Sequence, residues 1–362
     1  MDIPTFRQYL TPETLAQWHA LVNDAHRIVL TGHAGPDGDT MGAALTMWHY
    51  LKALGKEVRV VMPNMYPDFL AWLPGAQGIL IAHSHAEEAR NLMEEANLVF
   101  CLDYNAPQRL EDFADGLLQS TAPRIMVDHH LKPEPFCQLV VSDPKASSTC
   151  EIVFSLLWQL EALPLLTREA ATCLYCGMMT DTGAFTYNSS RPDIYRIIAE
   201  LLAMGVNKDR VYRRIYHSYS EKRMRLMGYI LYKKMEYMAD QKASLFTLTR
   251  EEMQRFCFKK GDAEGLVNLP LEIKGTRLSV SLREDTEKPL VRVSLRSVDD
   301  FPCNRMAEEY FNGGGHLNAS GGTLHMSMAE AVGVAHKAIQ AYAPLLTGKP
   351  ATPNPQPEPH NP

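Results

Sequence analysis

The sequence has 362 residues, 46% of them hydrophobic and 22% charged, and a formal net charge of -6. This length allows two domains with separate cores. The acidic balance excludes a protein that coats long nucleic acid through a broad basic surface, but leaves room for a short nucleotide in one pocket. No apolar run reaches the roughly 20 residues of a membrane helix. Seven scattered cysteines form no disulfide framework, so we expect a soluble cytoplasmic protein without a signal peptide. The oligomeric state stays open, a homodimer included.

The first half of the chain alternates short apolar strands with helical patterns. Strands are predicted in the segments RIVLTGH, EVRVVMP, LVFCLD, RIMVD and QLVVSD, and TMGAALTMWHYLKALG predicts a helix that ends at Gly55. This alternation is typical of an α/β fold with a mainly parallel sheet covered by helices on both faces. We expect this domain to span residues 1–215.

The second half begins with helical patterns and then changes to a period of two. Residues 216–235 are predicted to form a helical connector. The segments RLSVSLRE and PLVRVSLRS alternate apolar and polar residues around a polar loop, which predicts an antiparallel hairpin. We expect a smaller α+β domain over residues 236–345. The proline-rich end of the chain, residues 346–362, is predicted to be a disordered tail.

A basic stretch with interspersed tyrosines, RVYRRIYHSYSEKRMR (residues 210–225), begins just before the predicted connector. Mixed arginine and tyrosine side chains can hold single-stranded nucleic acid. Charge runs more often line a solvated helix face. We therefore favour an exposed connector helix and keep nucleic-acid binding as the alternative.

Acidic and histidine residues accompany the ends of several predicted strands. They are His33, Asp37 and Asp39 after the first strand, Asp103 at the end of LVFCLD, Asp128, His129 and His130 after RIMV, and Asp181 in the helical segment CGMMTDTGAF. Because the carboxyl ends of parallel strands share one edge of the sheet, we expect these residues to converge there.

Five aspartates in one pocket would repel each other unless positive charge joined them. Few cationic side chains, Arg109 among them, closely follow these segments, so divalent metal is the favoured compensation. Aspartate and histidine ligands without cysteine suit Mn²⁺, and also Mg²⁺ or Fe²⁺. So many ligands indicate two ions about 3.5–4 Å apart, the arrangement of phosphoester hydrolysis. Asp39 alone would fit a helix N-cap. Four segments with the same chemistry favour the metal centre.

The motifs HAGPDGD, LD, VDHH and TDTGAF resemble, in order and rough spacing, the motifs of the DHH phosphoesterase family. The resemblance implies a first metal on His33, Asp37 and Asp103. It implies a second metal on Asp39, Asp103, His129 and Asp181, with Asp103 as the bridge. It also implies that Asp128 orients the histidines, that His130 faces the substrate phosphate, and that a metal-activated water is the nucleophile.

The segment FNGGGHLNASGG, residues 311–322, resembles the GGGH motif of the DHH-associated domain. Three glycines exceed what a helix C-cap needs, and they allow a ligand to approach main-chain N–H groups closely. The resemblance implies an active site in the interdomain cleft, where six residues would bind the substrate phosphate or terminal nucleotide. These are Arg296, Gly313, Gly314, Gly315, His316 and Asn318.

The length and the absence of other motifs favour the compact NrnA-like group of this family. The resemblance then implies a manganese-dependent hydrolase that degrades short RNA or linear dinucleotides such as pApA to mononucleotides. Dephosphorylation of 3′-phosphoadenosine 5′-phosphate (PAP) would be a second activity. The alternative hypothesis is a nucleotide-binding regulator that has lost catalysis, which the complete set of ligands disfavours.

Overall fold

The protein is described by a computed structural model that covers residues 6–217, 219–259, 261–263 and 265–348. The chain divides into two units, residues 1–218 and 219–362, and each is described by itself. Among the described residues, no helix combines the length and the apolar character that crossing a membrane requires.

The first unit alternates strands and helices as the sequence predicts. Its elements are α1 (Pro12–Asp24), β1 (Arg27–Gly32), α2 (Gly38–Ala53), β2 (Glu57–Met62), β3 (Leu80–Ile81), α3 (Ala86–Glu95), β4 (Leu98–Leu102), α4 (Ala114–Gln119), β5 (Arg124–Asp128), β6 (Leu139–Ser142), α5 (Thr149–Gln159), α6 (Arg168–Asp181), α7 (Pro192–Ala203) and α8 (Lys208–Tyr216). Short 3₁₀ turns, including one at Pro107–Phe113, connect several of them. All five predicted strands form, and the two-residue β3 is too short for a sequence pattern to reveal.

These strands form one six-stranded sheet in the order β3-β2-β1-β4-β5-β6. Every neighbouring pair is parallel, which confirms the predicted α/β class. The strand order runs outward in both directions from β1 and β4. An open parallel sheet places its ligand site at such a reversal, outside the carboxyl ends of the strands.

Alternate residues of the strands enter two separate cores, one on each face of the sheet. Leu30 and Phe100 belong to the larger core, which also contains buried residues of α1, α2, α5, α6 and α7. Val29 and Val99 belong to the smaller core, together with residues of α3 and α4. Strands with apolar residues at every position are typical of a parallel sheet that is buried on both faces.

The helices α2 and α6 pack closely because glycines face each other between them. A methyl group on Gly42 would lie 2.6 Å from the Cys173 carbonyl oxygen and 3.2 Å from the Gly177 Cα. A methyl group on Gly177 would lie 3.0 Å from Asp39 Oδ1 and closer still to Cys150 Sγ. This contact brings the start of α2, which carries Asp39, against α6, which ends at Asp181.

The second unit combines a mixed sheet with helices. Its elements are α9 (Glu221–Tyr229), a π-helical turn (Ile230–Lys234), β7 (Glu236–Met238), β8 (Ala243–Leu248), α10 (Arg250–Arg255), β9 (Leu278–Glu284), β10 (Val291–Ser297), α11 (Cys303–Tyr310), β11 (Gly314–Gly315), β12 (Ala319–Leu324) and α12 (Met328–Thr347). The sheet order is β11-β12-β10-β9-β8-β7. The predicted hairpin is confirmed, because β9 and β10 pair antiparallel.

Two segments differ from their predicted boundaries. The predicted connector contains α9, whose Leu226 is buried with Phe246 and Leu248 in a core of the second unit. These apolar contacts make the helix part of that unit. At the other end, α12 continues to Thr347 with Leu346 fully buried, so it passes the predicted start of the tail. Residues 349–362 lie outside the described residues.

We predict that Gly177→Ala destabilises the first unit by about 1–3 kcal/mol, because the added methyl overpacks the contact between α2 and α6. All four tryptophans lie in this unit, at positions 18, 48, 72 and 158, so their fluorescence during urea unfolding reports on it. Gly116→Ala is the matched control, because a methyl at this helical position meets only the Phe113 ring, at 3.5 Å. Equal unfolding midpoints for the two variants would contradict the packing argument.

Candidate metal centre

Chain segments that are far apart in the sequence meet at the carboxyl edge of the first sheet. His33 follows β1, Asp103 follows β4 and Asp128 ends β5, which places all three at one edge. The first turn of α2 and the last residue of α6 add Asp39 and Asp181. All eight predicted catalytic and metal-ligating residues of the first unit have a polar atom within 4.8 Å of a partner from this set. The predicted convergence is therefore observed within this unit.

One group of donor atoms consists of His33, Asp37 and Asp103. His33 Nδ1 lies 2.9 Å from the Ala34 carbonyl oxygen, which can only accept, so Nδ1 carries a proton. The other ring nitrogen, Nε2, lies 3.4 Å from Asp103 Oδ2 and 3.7 Å from Asp37 Oδ2. Asp37 is also the N-cap of α2, because its Oδ1 accepts from the backbone of Asp39 at 2.9 Å. The cap fixes the direction of this carboxylate.

A second group consists of Asp39, His129 and Asp181. His129 Nε2 lies 3.4 Å from Asp181 Oδ2 and 3.9 Å from Asp39 Oδ2. The buried Asp39 carboxylate accepts from two backbone N–H groups at the start of α5, Thr149 at 2.6 Å and Cys150 at 2.9 Å. A helix N-terminus stabilises negative charge through these unpaired N–H groups and its dipole.

Asp103 lies between the two groups. Its Oδ2 faces His33 at 3.4 Å and its Oδ1 faces His129 Nε2 at 3.6 Å. Thr40 donates to Oδ2 at 2.6 Å and Thr149 donates to Oδ1 at 2.9 Å. The backbone of Asp103 has a φ of 64°, a left-handed conformation that is uncommon for a residue other than glycine. Such strain is typical of functional sites, and here it directs one carboxylate toward both groups.

The other acidic residue of the site at a strand end, Asp128, forms its hydrogen bonds with His130. Its Oδ1 lies 2.7 Å from His130 Nδ1, and its Oδ2 accepts from the His130 backbone at 3.1 Å. Asp103, Asp128 and His130 also converge as a third set of donors, but both Asp128 oxygens are occupied by these bonds. The resemblance implies that Asp128 orients both histidines. In the structure its hydrogen bonds go to His130, while His129 Nδ1 faces the Ala146 carbonyl oxygen at 3.4 Å.

The charges of the site are strongly coupled. Burial raises the pKa of Asp39, and the negative charges of Asp103 and Asp181 raise it further. Burial lowers the pKa of His33, but hydrogen bonds to Asp103 and Asp37 outweigh this effect and raise the pKa to about 10. Both shifts have the same cause, an excess of negative charge in a buried site, and divalent cations would compensate that charge. Carboxylate and imidazole donors in two adjacent groups fit such ions.

An ion pair that was not predicted from the sequence supports the second group. Glu151 is 2% exposed, and both of its carboxylate oxygens accept from Arg191, at 2.5 and 2.6 Å. Glu151 also accepts from the backbone of Ser147 at 2.7 Å. The pair ties the loop after Asp181 to the start of α5. The pattern Ser148 to Glu151, a capping-box spacing, was the available signal for this helix start.

The predicted substrate-binding residues of the second unit gather around β10, β11 and β12. Arg296 of β10 pairs with Ala319 of β12. Gly315 has a φ of 139°, and a methyl group on Gly313 would overlap the Gly321 carbonyl oxygen. Glycine is therefore required by the backbone itself at positions 313 and 315. Gly314 completes the three-glycine run and pairs with β12.

His316 and Asn318 lie in the turn between β11 and β12. The His316 carbonyl accepts from Ser320 Oγ at 2.7 Å, which fixes the turn. The Asn318 amide donates to Ser297 Oγ at 2.9 Å and to the Asp299 carbonyl at 3.1 Å. These bonds of the amide nitrogen hold the turn in place, and substrate binding by Asn318 stays a prediction.

Comparisons with known proteins find a family model that matches part of each unit. The model of the DHH family, N-terminal domain, matches residues 27–178, and the DHHA1 domain model matches residues 252–343. The bifunctional oligoribonuclease and PAP phosphatase NrnA of Thermus thermophilus is 32% identical over 301 residues, covering 82% of this chain and 84% of the relative. NrnA of Bacillus subtilis is 25% identical over 299 residues, covering 82% and 89% of the two chains.

Solved structures give the same fold. An exopolyphosphatase-related protein from Bacteroides fragilis is 46% identical with a TM-score of 0.89, covering 94% of this chain and all of its own. RecJ of Thermus thermophilus, at 15% identity and a TM-score of 0.54, covers 93% of this chain and 55% of its own and shares the fold. With two domain models matched in order and a relative above 30% identity, the chain belongs to the DHH family and carries both its DHH and DHHA1 domains.

Proposed function

We propose that this protein is a metal-dependent phosphoesterase that hydrolyses short oligoribonucleotides and linear dinucleotides such as pApA to mononucleotides. Dephosphorylation of PAP is a second proposed activity. The observation that carries the proposal is the position of Asp103, whose two oxygens face one histidine of each donor group, at 3.4 and 3.6 Å. The names of the Thermus thermophilus and Bacillus subtilis relatives, which both cite oligoribonuclease and PAP phosphatase activity, support the substrate class.

Two ions are proposed, with His33, Asp37 and Asp103 holding the first and Asp39, Asp103, His129 and Asp181 holding the second. Bound divalent ions supply Lewis acidity and an acidified water nucleophile. Manganese is the proposed metal because hard carboxylates and borderline imidazoles together suit it, with Mg²⁺ and Fe²⁺ as competitors. The protein holds the side chains that would ligate the metals in place through hydrogen bonds. These come from the α5 N-terminus and the threonine hydroxyls, and one goes to the Ala146 carbonyl.

His130 and Arg109 are the proposed contacts to the substrate phosphate in this unit. Asp128 accepts from His130 Nδ1, which leaves Nε2 directed at the Arg109 guanidinium, 3.4 Å away. A guanidinium only donates, so Nε2 accepts from it. A phosphate would be the stronger acceptor for the exposed Arg109. The Asp128 carboxylate holds the ring through Nδ1, so that Nε2 stays directed at the phosphate that Arg109 would bind.

The second unit is proposed to bind the terminal phosphate or nucleotide. Its candidates are Arg296, His316 and the run Gly313–Gly315, in agreement with the DHHA1 match. Main-chain N–H groups of a glycine-rich turn can cradle an anion, and arginine adds charge. We propose that this surface and the metal centre of the first unit act on one substrate.

A cytoplasmic location is part of the proposal. All seven cysteines lie in the described part of the chain, and all are free thiols there. Free thiols, several of them buried, are usual in a reducing compartment.

Incubation of the purified protein with Mn²⁺ and pApA tests the proposal. We expect release of AMP, and of AMP and phosphate when PAP replaces pApA, measured by chromatography. A chelator should abolish both reactions. Binding of pApA without any product under Mn²⁺, Mg²⁺ and Fe²⁺ would favour the inactive regulator instead.

Asp103→Asn should lower turnover by roughly 10³-fold, because a bridging ligand positions both ions and contributes several kcal/mol to the transition state. The same variant should retain less metal after dialysis against Mn²⁺, as measured by mass spectrometry of the metal. Asp128→Asn is the matched control at the same sheet edge. It should reduce turnover through His130 while leaving the metal content unchanged. Near wild-type activity of Asp103→Asn would overturn the two-ion assignment.

Metal binding should release protons at pH 7.5. The pKa of His33 is raised to about 10, so the imidazole is protonated at this pH and must lose its proton to ligate. We expect calorimetric titrations in buffers of different ionisation enthalpy to show at least about one proton released per protein, with affinity rising as the pH rises toward 10. His83→Gln, at an exposed histidine, should leave the count unchanged. Metal binding without proton release would contradict the charge balance of this site.

A further inference from the structure

One short segment, residues 146–151, supports most of the second donor group. We call it the α5 entry, because it contains the loop before α5 and the first turn of that helix. A carbonyl of this segment lies 3.4 Å from His129 Nδ1, and two of its N–H groups donate to Asp39 at 2.6 and 2.9 Å. A threonine hydroxyl of the same segment donates to Asp103 at 2.9 Å. Three of the four proposed ligands of the second metal therefore depend on where this segment lies.

Glu151 holds the α5 entry in its conformation. Its Oε2 accepts from the Ser147 backbone at 2.7 Å and from the Ser147 hydroxyl at 2.8 Å, and its own backbone N–H donates to Ser148 Oγ at 3.1 Å. Because Glu151 is buried, its charge is costly without a cationic partner. Arg191 is that partner, with Nη2 at 2.5 and 2.6 Å from the two carboxylate oxygens.

Arg191 also connects the α5 entry with the loop that begins at the fourth ligand, Asp181. This loop starts with three consecutive left-handed residues, Gly183, Ala184 and Phe185, whose φ angles are 53, 59 and 64°. Such a conformation is costly for residues other than glycine, so the loop needs contacts that hold it. Arg191 lies at its far end, as the residue that precedes α7. The ion pair therefore links all four proposed ligands of the second metal.

The first donor group has different supports. His33 Nδ1 faces a backbone carbonyl of its own loop at 2.9 Å. That loop, which also carries Asp37, is held by Asn64, whose Oδ1 accepts from the Gly35 backbone at 2.6 Å. These hydrogen bonds involve neither the α5 entry nor its ion pair. The two groups are thus supported separately and meet at Asp103.

We propose that Glu151 and Arg191 are positioning residues for the second metal and not for the first. This inference rests on the proposed function, because it assumes two ions, and it adds that one ion can be lost without the other. Without the ion pair, the α5 entry no longer holds Asp39 and His129 in ligating positions, while the first group keeps its supports. The second ion is then bound more weakly.

Titration of the full chain with Mn²⁺ after removal of bound metal, followed by calorimetry and by metal content after dialysis, tests the proposal. The wild-type protein should bind two ions. Arg191→Met should weaken one of them by about 10-fold or more, the loss that follows removal of an outer-shell partner, and change the other less than about twofold. Arg191→Lys keeps the charge and should restore part of the affinity. Glu151→Gln should match Arg191→Met, and the double variant should bind no more weakly than either single variant, because the pair acts as a unit.

Two further variants separate positioning from general destabilisation. Leu117 is fully buried in the smaller core, so Leu117→Ala should lower the urea midpoint and still bind both ions. Asn64→Ala should weaken the other ion, because Asn64 holds the loop of the first group. Its effect should add to that of Arg191→Met, since the two residues support different groups.

The results distinguish this inference from the proposed function. If Arg191→Met weakens both ions equally, or neither, the positioning role is wrong, while release of AMP from pApA by the wild type leaves the phosphoesterase intact. If the wild-type protein binds fewer than two ions, the two-ion assignment fails and this inference fails with it. If Glu151→Gln does not fold, Arg191→Met decides, because the Arg191 side chain is 35% exposed and its replacement opens no core cavity.

Discussion

The concentration of negative charge at one sheet edge is the constraint that governs the first unit. Asp39 and Asp103 are each 1% exposed, and buried carboxylates are costly unless hydrogen bonds or cations meet them. Two backbone N–H groups at the N-terminus of α5 donate hydrogen bonds to Asp39. Threonine hydroxyls of α2 and α5 donate hydrogen bonds to Asp103. These bonds hold the donors in place, and the charge that remains makes the site selective for cations.

This arrangement depends on how closely three helices approach the same point. The start of α5 can reach Asp39 only because Gly42 and Gly177 allow α2 and α6 to pack without side chains between them. Cys150 of α5 lies at that contact and donates its backbone N–H to Asp39. The ion pair of Glu151 and Arg191 then fixes the loop that follows Asp181. Helix packing and the electrostatics of the site therefore share the same few residues.

The sequence predicted those parts of this centre that follow from strand ends. The positions of His33, Asp103 and Asp128 could be inferred because a parallel sheet aligns the carboxyl ends of its strands. Asp39 and Asp181, which lie on helices, were also expected there, from the loop after the first strand and from the helical segment CGMMTDTGAF, and the family motifs assigned them to a metal. The partners that hold the donors, such as Ala146 and the N–H groups of Thr149 and Cys150, could not be predicted. They are backbone groups whose positions depend on tertiary packing, and their side-chain identities carry little information.

The fold boundaries show the same limit. A helical connector was predicted over residues 216–235, but the membership of α9 in the second unit depends on the burial of Leu226 against Phe246, more than 15 residues away in the sequence. The basic stretch at residues 210–225 illustrates the converse. The sequence alone favoured a solvated helix, because it shows which residues are charged but not which of them share a face. The structure agrees with that choice, because Arg210, Tyr212 and Arg213 of α8 are exposed while Val211 and Ile215 are buried in the core of the first unit. The period of apolar residues therefore predicts which side of this helix meets water, although it does not predict which core receives the other side.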